Sequence, residues 1–120
     1  MTGLDGEDAK LVVLARAARG RAYTPHGQGR IEGAAVRDTD GRTYTAATVE
    51  HREPALTTSA LRGALAAAAS SGARAFEAAV VVTDVSAGCA EDLEVLREFG
   101  AGVPLILAGA DGEVLSTQST

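Results

Sequence analysis

Apolar and polar residues recur along this chain with two different periods, and the changes of period mark its elements. From Asp8 to about Ala22, Leu11, Leu14, Ala15 and Ala18 fall at helical spacing, which predicts a first helix with one buried face. The segment YTPHGQG, residues 23–29, is dense in turn formers and reads as a loop. RIEGAAVRDTDGRTYTAATVE reads as a hairpin, with strands near 30–37 and 42–49 around an Asp40-Gly41 turn. In ALTTSALRGALAAAASSG, residues 55–72, the helical period returns at Leu61, Ala64, Leu65 and Ala68. Thr57 or Thr58 is the expected cap of that helix, near 57–71, and Ser70, Ser71 and Gly72 end it. FEAAVVVTD, residues 76–84, is a continuous apolar run of the kind that forms a strand buried on both faces. CAEDLEVLREFG predicts a short amphipathic helix with Leu93, Val95 and Leu96 inward and Gly100 as its stop. VPLILAG and GEVLSTQ, on either side of Ala110-Asp111-Gly112, predict two last strands.

The order is helix, strand, strand, helix, strand, helix, strand, strand. It predicts an α/β protein, a three-layer α/β/α arrangement around one mixed five-stranded sheet. No repeat or linker interrupts the 120 residues, so 1–120 read as one domain, with 1–6 and 117–120 expected to be flexible.

Composition changes this picture in two ways. Apolar residues are 46% of the chain but aromatics only 3%, so the core must be built from Ala, Val, Leu and Ile packed closely. The net charge of -5 and the absence of a basic cluster exclude a nucleic-acid surface, which needs concentrated Lys and Arg. Cys89 is the single cysteine, so an internal disulfide or a Cys-pair metal site within one chain is excluded. No apolar stretch reaches the length of a membrane span, and a cytoplasmic location without membrane contact is expected.

Four phrases, in order and at matching spacing, resemble the small cytidine deaminases from about Leu14 to Ser116. AYTPHGQGRIEGAAV resembles the family's A-Y-x-P-Y-S-x-F-x-V-G-A-A, with about one residue inserted, and TVEH falls on its N-x-E-N. TTSALRGALAAAASSG falls on its C-A-E-R-x-A-L helix, and GCAEDLEVLREFG on P-C-G-x-C-R-Q-V-L-x-E-F. The resemblance implies the family's fold and a homo-dimer or homo-tetramer with sites at subunit interfaces; the small residues from Ala64 to Ala69 suit close helix approach. It also implies a mechanism. Three His or Cys ligands hold zinc, whose bound water attacks the pyrimidine, and a neighbouring Glu that is not a ligand carries the protons.

Carried over position by position, the zinc ligands become Ser59, Cys89 and Asp92, and the catalytic Glu becomes Leu61. Only Cys89 keeps a family ligand type. A Ser/Cys/Asp set matches none of the usual N/S catalytic sites, and Leu61 can carry no proton, a role worth about 10²–10⁴-fold in rate. Among the substrate contacts, the family's stacking Phe falls on Gln28 or Gly29, its Asn on Thr48, and a Tyr on His26. Glu50 matches the Glu that meets the ribose, so Thr48, Glu50 and His26 are the candidate ligand pocket.

Each of these residues also has a plainer reading. Leu61 belongs to the apolar stripe of its helix. Cys89 is either a thiol activated at a helix start or a small buried apolar group, and the second is favoured. Asp92 suits the dipole of a first helical turn, and Glu50 a solvated or helix-capping role. His26 and His51 read as loop residues, and GQGRIEG is not a phosphate cradle because it precedes a strand rather than joining strand to helix. The leading function is therefore a cytidine-deaminase-like protein without zinc, cofactor or deaminase activity, retained as a binding or assembly module. The alternatives are an active deaminase with an atypical, zinc-bearing site or residues lent by a neighbouring subunit, and an accessory subunit of a partner enzyme.

Overall fold

A computed structural model describes residues 4–85 and 89–120. Its elements run α1 (Gly6–Arg19), β1 (Gly33–Asp38), β2 (Thr43–Ala47), a 3-10 turn (Pro54–Leu56), α2 (Ala60–Ser70), β3 (Phe76–Val82), α3 (Ala90–Arg97), β4 (Pro104–Ala108) and β5 (Val114–Ser119). The strands form one mixed sheet in the order β2-β1-β3-β4-β5, parallel only between β3 and β4. Helices cover both faces, as the pattern predicts.

The period of two in the central strands divides the core cleanly. Ala34 and Val36 of β1, Ala79 and Val81 of β3, and Leu105 and Leu107 of β4 pack under α2 and α3. Ala35, Ala78, Val80, Val82, Ile106 and Ala108 alternate with them and pack under α1. Phe76 and Phe99 close the first cluster edge to face, with ring centroids 5.1 Å apart.

Gly33 shows how closely the layers approach. A Cβ there would lie 2.1 Å from the Ala15 carbonyl oxygen and 2.3 Å from the Arg19 nitrogen, so α1 rests on bare backbone. The hairpin turn is fixed by Asp38, whose Oδ1 accepts from the Asp40 and Arg42 amides while Gly41 takes φ +85°. Arg37 ties α1 to the sheet through Asp8 at 2.9 Å and Glu77 at 2.7 Å.

Several expectations are corrected. The first helix starts at Gly6 behind an Asp5 cap, and it buries Val12 whereas Leu14 is exposed. Ser59, not Thr57 or Thr58, caps α2, because Thr58 pairs its backbone with Val49 before the helix begins. Within the small-residue run from Ala64 to Ala69, Ala64 and Ala68 are covered by the chain's own sheet, while Ala66 and Ala67 face outward. On α3, Leu93 and Val95 are only half-buried, while Asp92 is buried. Residues 117–119, expected to be loose, complete β5, and the Thr120 backbone pairs with Gly102 and Val103. Of the N-terminal segment expected to be flexible, residues 1–3 lie outside the described residues. No helix among the described residues is long and apolar enough to cross a membrane.

Gly33→Ala is expected to cost about 2 kcal/mol or more, since backbone on two elements must move. Gly6→Ala, which meets nothing, is the control and should be neutral or slightly stabilising. Urea unfolding of both variants checks the comparison.

Candidate functional site

The starts of α2 and α3 converge over one end of the sheet. Ser59 has extended backbone, and its Oγ accepts from the Arg62 amide at 3.2 Å, which satisfies an otherwise unpaired donor of the first turn. The same hydroxyl donates to Asp92 Oδ1 at 2.7 Å, joining the two helix starts. Cys89 is the N-cap of α3 and half-buried; its carbonyl accepts from the Asp92 and Leu93 amides. Ser59, Cys89 and Asp92, brought together by alignment in the sequence, are thus neighbours in space. Leu61 points the other way, 0% exposed within the core under α2. Gly88, which belongs to the same sequence phrase as Cys89, lies outside the described residues.

These side chains line a cavity of about 270 Å³ with Thr48, Glu32, Arg30 and Arg62, closed on one side by Pro54 and Ala55. Glu32 was not anticipated. It is 4% exposed, beside Thr83, and Arg30 reaches it at 3.7 Å. The strand period carried the signal: Glu32 shares a face with Ala34 and Val36, so a hairpin strand that buries that face buries this carboxylate too. Thr48, the counterpart of the family's Asn, is buried between these groups, with its hydroxyl on the Glu32 backbone.

Burial pushes the Asp92 and Glu32 carboxyls above their ordinary range, against the Ser59 hydrogen bond in one case and the Thr83 and Arg30 contacts in the other. Asp92 also acts on Glu32 as a like charge and raises the cost of ionising it. Asp92 therefore does more than complement a helix dipole.

Glu50 and His26 are not part of this cavity. They line a shallower depression with Tyr23, His51 and Arg52. Neither the solvated nor the helix-capping reading of Glu50 holds, because it is 3% exposed and organises a loop. Oε1 accepts from the His26 amide at 2.6 Å and Oε2 from the Gln28 and Gly29 amides. Burial alone would raise its pKa; the three backbone donors overcome that and hold it below the usual carboxylate range. His26 and His51 are exposed loop residues as expected, and the His51 Nδ1 accepts from the Glu53 amide.

Two predictions follow from the opposite shifts. A carboxyl with a raised pKa stabilises the fold while protonated and loses that contribution as pH rises above its ordinary value, 3.8 for Asp92. Asp92→Asn, which keeps an oxygen for Ser59, is expected to be more stable than the parent at pH 7, with the difference fading toward pH 4 in urea unfolding. Glu50 behaves in the opposite sense, stabilising above its ordinary 4.5 and losing that contribution as pH falls. Glu50→Gln should speed amide exchange at His26, Gln28 and Gly29 at neutral pH while leaving the β3 amides protected.

A family described as cytidine deaminase-like matches residues 4–112. Among solved structures, the chain is similar to a cytidine deaminase from Burkholderia pseudomallei, with 31% identity, TM-score 0.82, and 92% of this chain and 90% of that one covered. A cytidine deaminase from Mycobacterium tuberculosis is 29% identical with TM-score 0.74, covering 86% and 85% of the two chains. One from Mycobacterium leprae, 24% identical over 96% and 94%, shares the fold with TM-score 0.76. A search of curated protein sequences found no match. The order of the elements, the mixed sheet and the convergence of two helix starts agree with these likenesses, and the chain belongs to the cytidine deaminase-like family.

Proposed function

We propose that this protein is a cytidine-deaminase-like protein that neither holds zinc nor deaminates, and that its cavity is retained for binding or assembly. The observation that carries the reading is the 2.7 Å hydrogen bond between Ser59 and Asp92. It joins two of the three positions at which the family's mechanism needs metal ligands.

The donor set does not fit zinc. Ser59 offers a neutral hydroxyl already committed to the α2 cap and to Asp92. Cys89 is the one soft donor, and a lone thiolate beside a hydroxyl and a carboxylate is not a catalytic zinc set. No three His, Cys, Asp or Glu side chains among the described residues gather in a metal-holding arrangement. Leu61, in the place of the proton-carrying Glu, lies in the core, where it supports packing and can transfer nothing. Two buried carboxylates with raised pKa on one cavity support retention as a binding site, because burying charge opposes folding and such shifts cluster where function requires them.

Metal analysis alongside a cytidine and deoxycytidine turnover assay tests this reading. The expected result is no stoichiometric zinc and no turnover above background. One zinc per chain in protein purified without added metal overturns it. A second variant tests the geometry: Ser59→Cys with Asp92→Cys, together with the native Cys89, is expected to take up Zn²⁺ as a three-thiolate set with one open position. A folded double variant that takes up none would show that the three positions do not converge on one metal.

A further inference from the structure

The cavity at the starts of α2 and α3 has an acidic floor whose bonds are incomplete. Asp92 is 3% exposed and lines the cavity; its Oδ1 is bonded to Ser59, and its Oδ2 accepts from no group among the described residues. Glu32 lines the same cavity from the strand side, where Asp92 acts on it as a like charge. Thr83 bonds Glu32 on one side, and Arg30 Nη1 forms a long ion pair with Oε2 at 3.7 Å, which leaves the carboxylate room for a closer partner. Arg62 is exposed and, like Arg30, attracts the Asp92 carboxylate only at longer range, with no ion pair to it within 4.0 Å among the described residues. A third carboxylate, Glu91, lies on the lining.

The chemistry of this floor selects its occupant. An anion would sit against an unpaired carboxylate oxygen. A bare metal ion lacks a converging set of three suitable side chains among the described residues. An organic cation brings its own donors, and a planar amidinium or guanidinium presents them as a fork that matches carboxylate oxygens. Pro54 and Ala55 offer an apolar wall for the rest of such a molecule, and about 270 Å³ limits it to small-metabolite size.

We infer that the cavity binds a small organic cation with an amidinium or guanidinium head, held by Asp92 Oδ2 and the Glu32 carboxylate, with its apolar part against Pro54 and Ala55. The inference rests on the reading of this cavity as a zinc-free binding site.

Calorimetric titration with benzamidine, its neutral analogue benzamide and the anion benzoate tests it. Benzamidine is expected to bind saturably, benzamide about tenfold or more weakly, and benzoate not at all, since hydrogen bonds between charged groups are about twice as strong as neutral ones. Asp92→Asn and Glu32→Gln should each weaken benzamidine by about tenfold or more. Asp92→Asn is expected to be the more stable protein at neutral pH, so circular dichroism and urea unfolding separate lost binding from lost fold. Arg62→Ala should leave benzamidine binding intact or strengthen it. Benzoate binding more tightly than benzamidine, benzamidine binding unchanged from the parent in both carboxylate variants, or no saturable benzamidine binding at millimolar concentration overturns the inference. Zinc content and cytidine turnover are measured on the same preparation. A zinc-free, inactive protein that ignores benzamidine overturns this inference alone, whereas bound zinc with turnover overturns the proposed function beneath it.

Discussion

Close packing between alanine-rich layers is the constraint on which the rest of the structure depends. With no tryptophan and few other rings, the core cannot be propped open by large side chains. Ala60, Ala64 and Ala68 of α2 lie against Ala34 and Ala79 of the sheet, and α1 comes down on the bare backbone of Gly33. Small side chains bring the helix axes near the sheet and leave little room for adjustment, because dense interiors transmit any added volume as strain. The same closeness brings the start of α2 near the start of α3. The Ser59–Asp92 hydrogen bond is a consequence of that packing rather than its cause.

This dense frame gives similar acidic side chains opposite characters. Asp92 and Glu32 are buried where few donors reach them, and their charged forms are disfavoured. Glu50 is equally hidden from solvent, yet three backbone amides of the preceding loop converge on it and favour its charge. The difference lies in donor supply, not in depth. A carboxylate surrounded by loop amides is structural mortar. One that faces a cavity with an oxygen to spare is chemically available, and this separates the floor of the cavity from the depression beside His26.

Two residues at the cavity end of α2 serve folding first. Ser59 caps α2 through its hydroxyl, a better hydrogen-bond acceptor than a cysteine sulfur at the same position. Leu61 adds apolar surface to the core under α2. Both residues favour folding at positions where the family's resemblance implies catalysis, in keeping with the general opposition between stable packing and reactive sites.

The sequence by itself determined the element order and the alternating faces of the central strands. Each of these rests on local period, turn chemistry or residue type, all of which are present in the chain before it folds. Element ends were less legible: Ser59 displaced Thr57 and Thr58 as the cap because Thr58 is engaged with Val49 from another part of the chain. Leu14 and Val12 exchanged roles because both lie near the edge of the same helical stripe, and only the sheet beneath decides which is covered. Glu32 was readable from its shared face with Ala34 and Val36, but its partnership with Asp92 was not, since 60 positions of chain separate them. The tertiary structure alone decided which carboxylates are satisfied, because hydrogen-bond donors are supplied by whichever backbone the fold brings near and leave no local mark in the sequence.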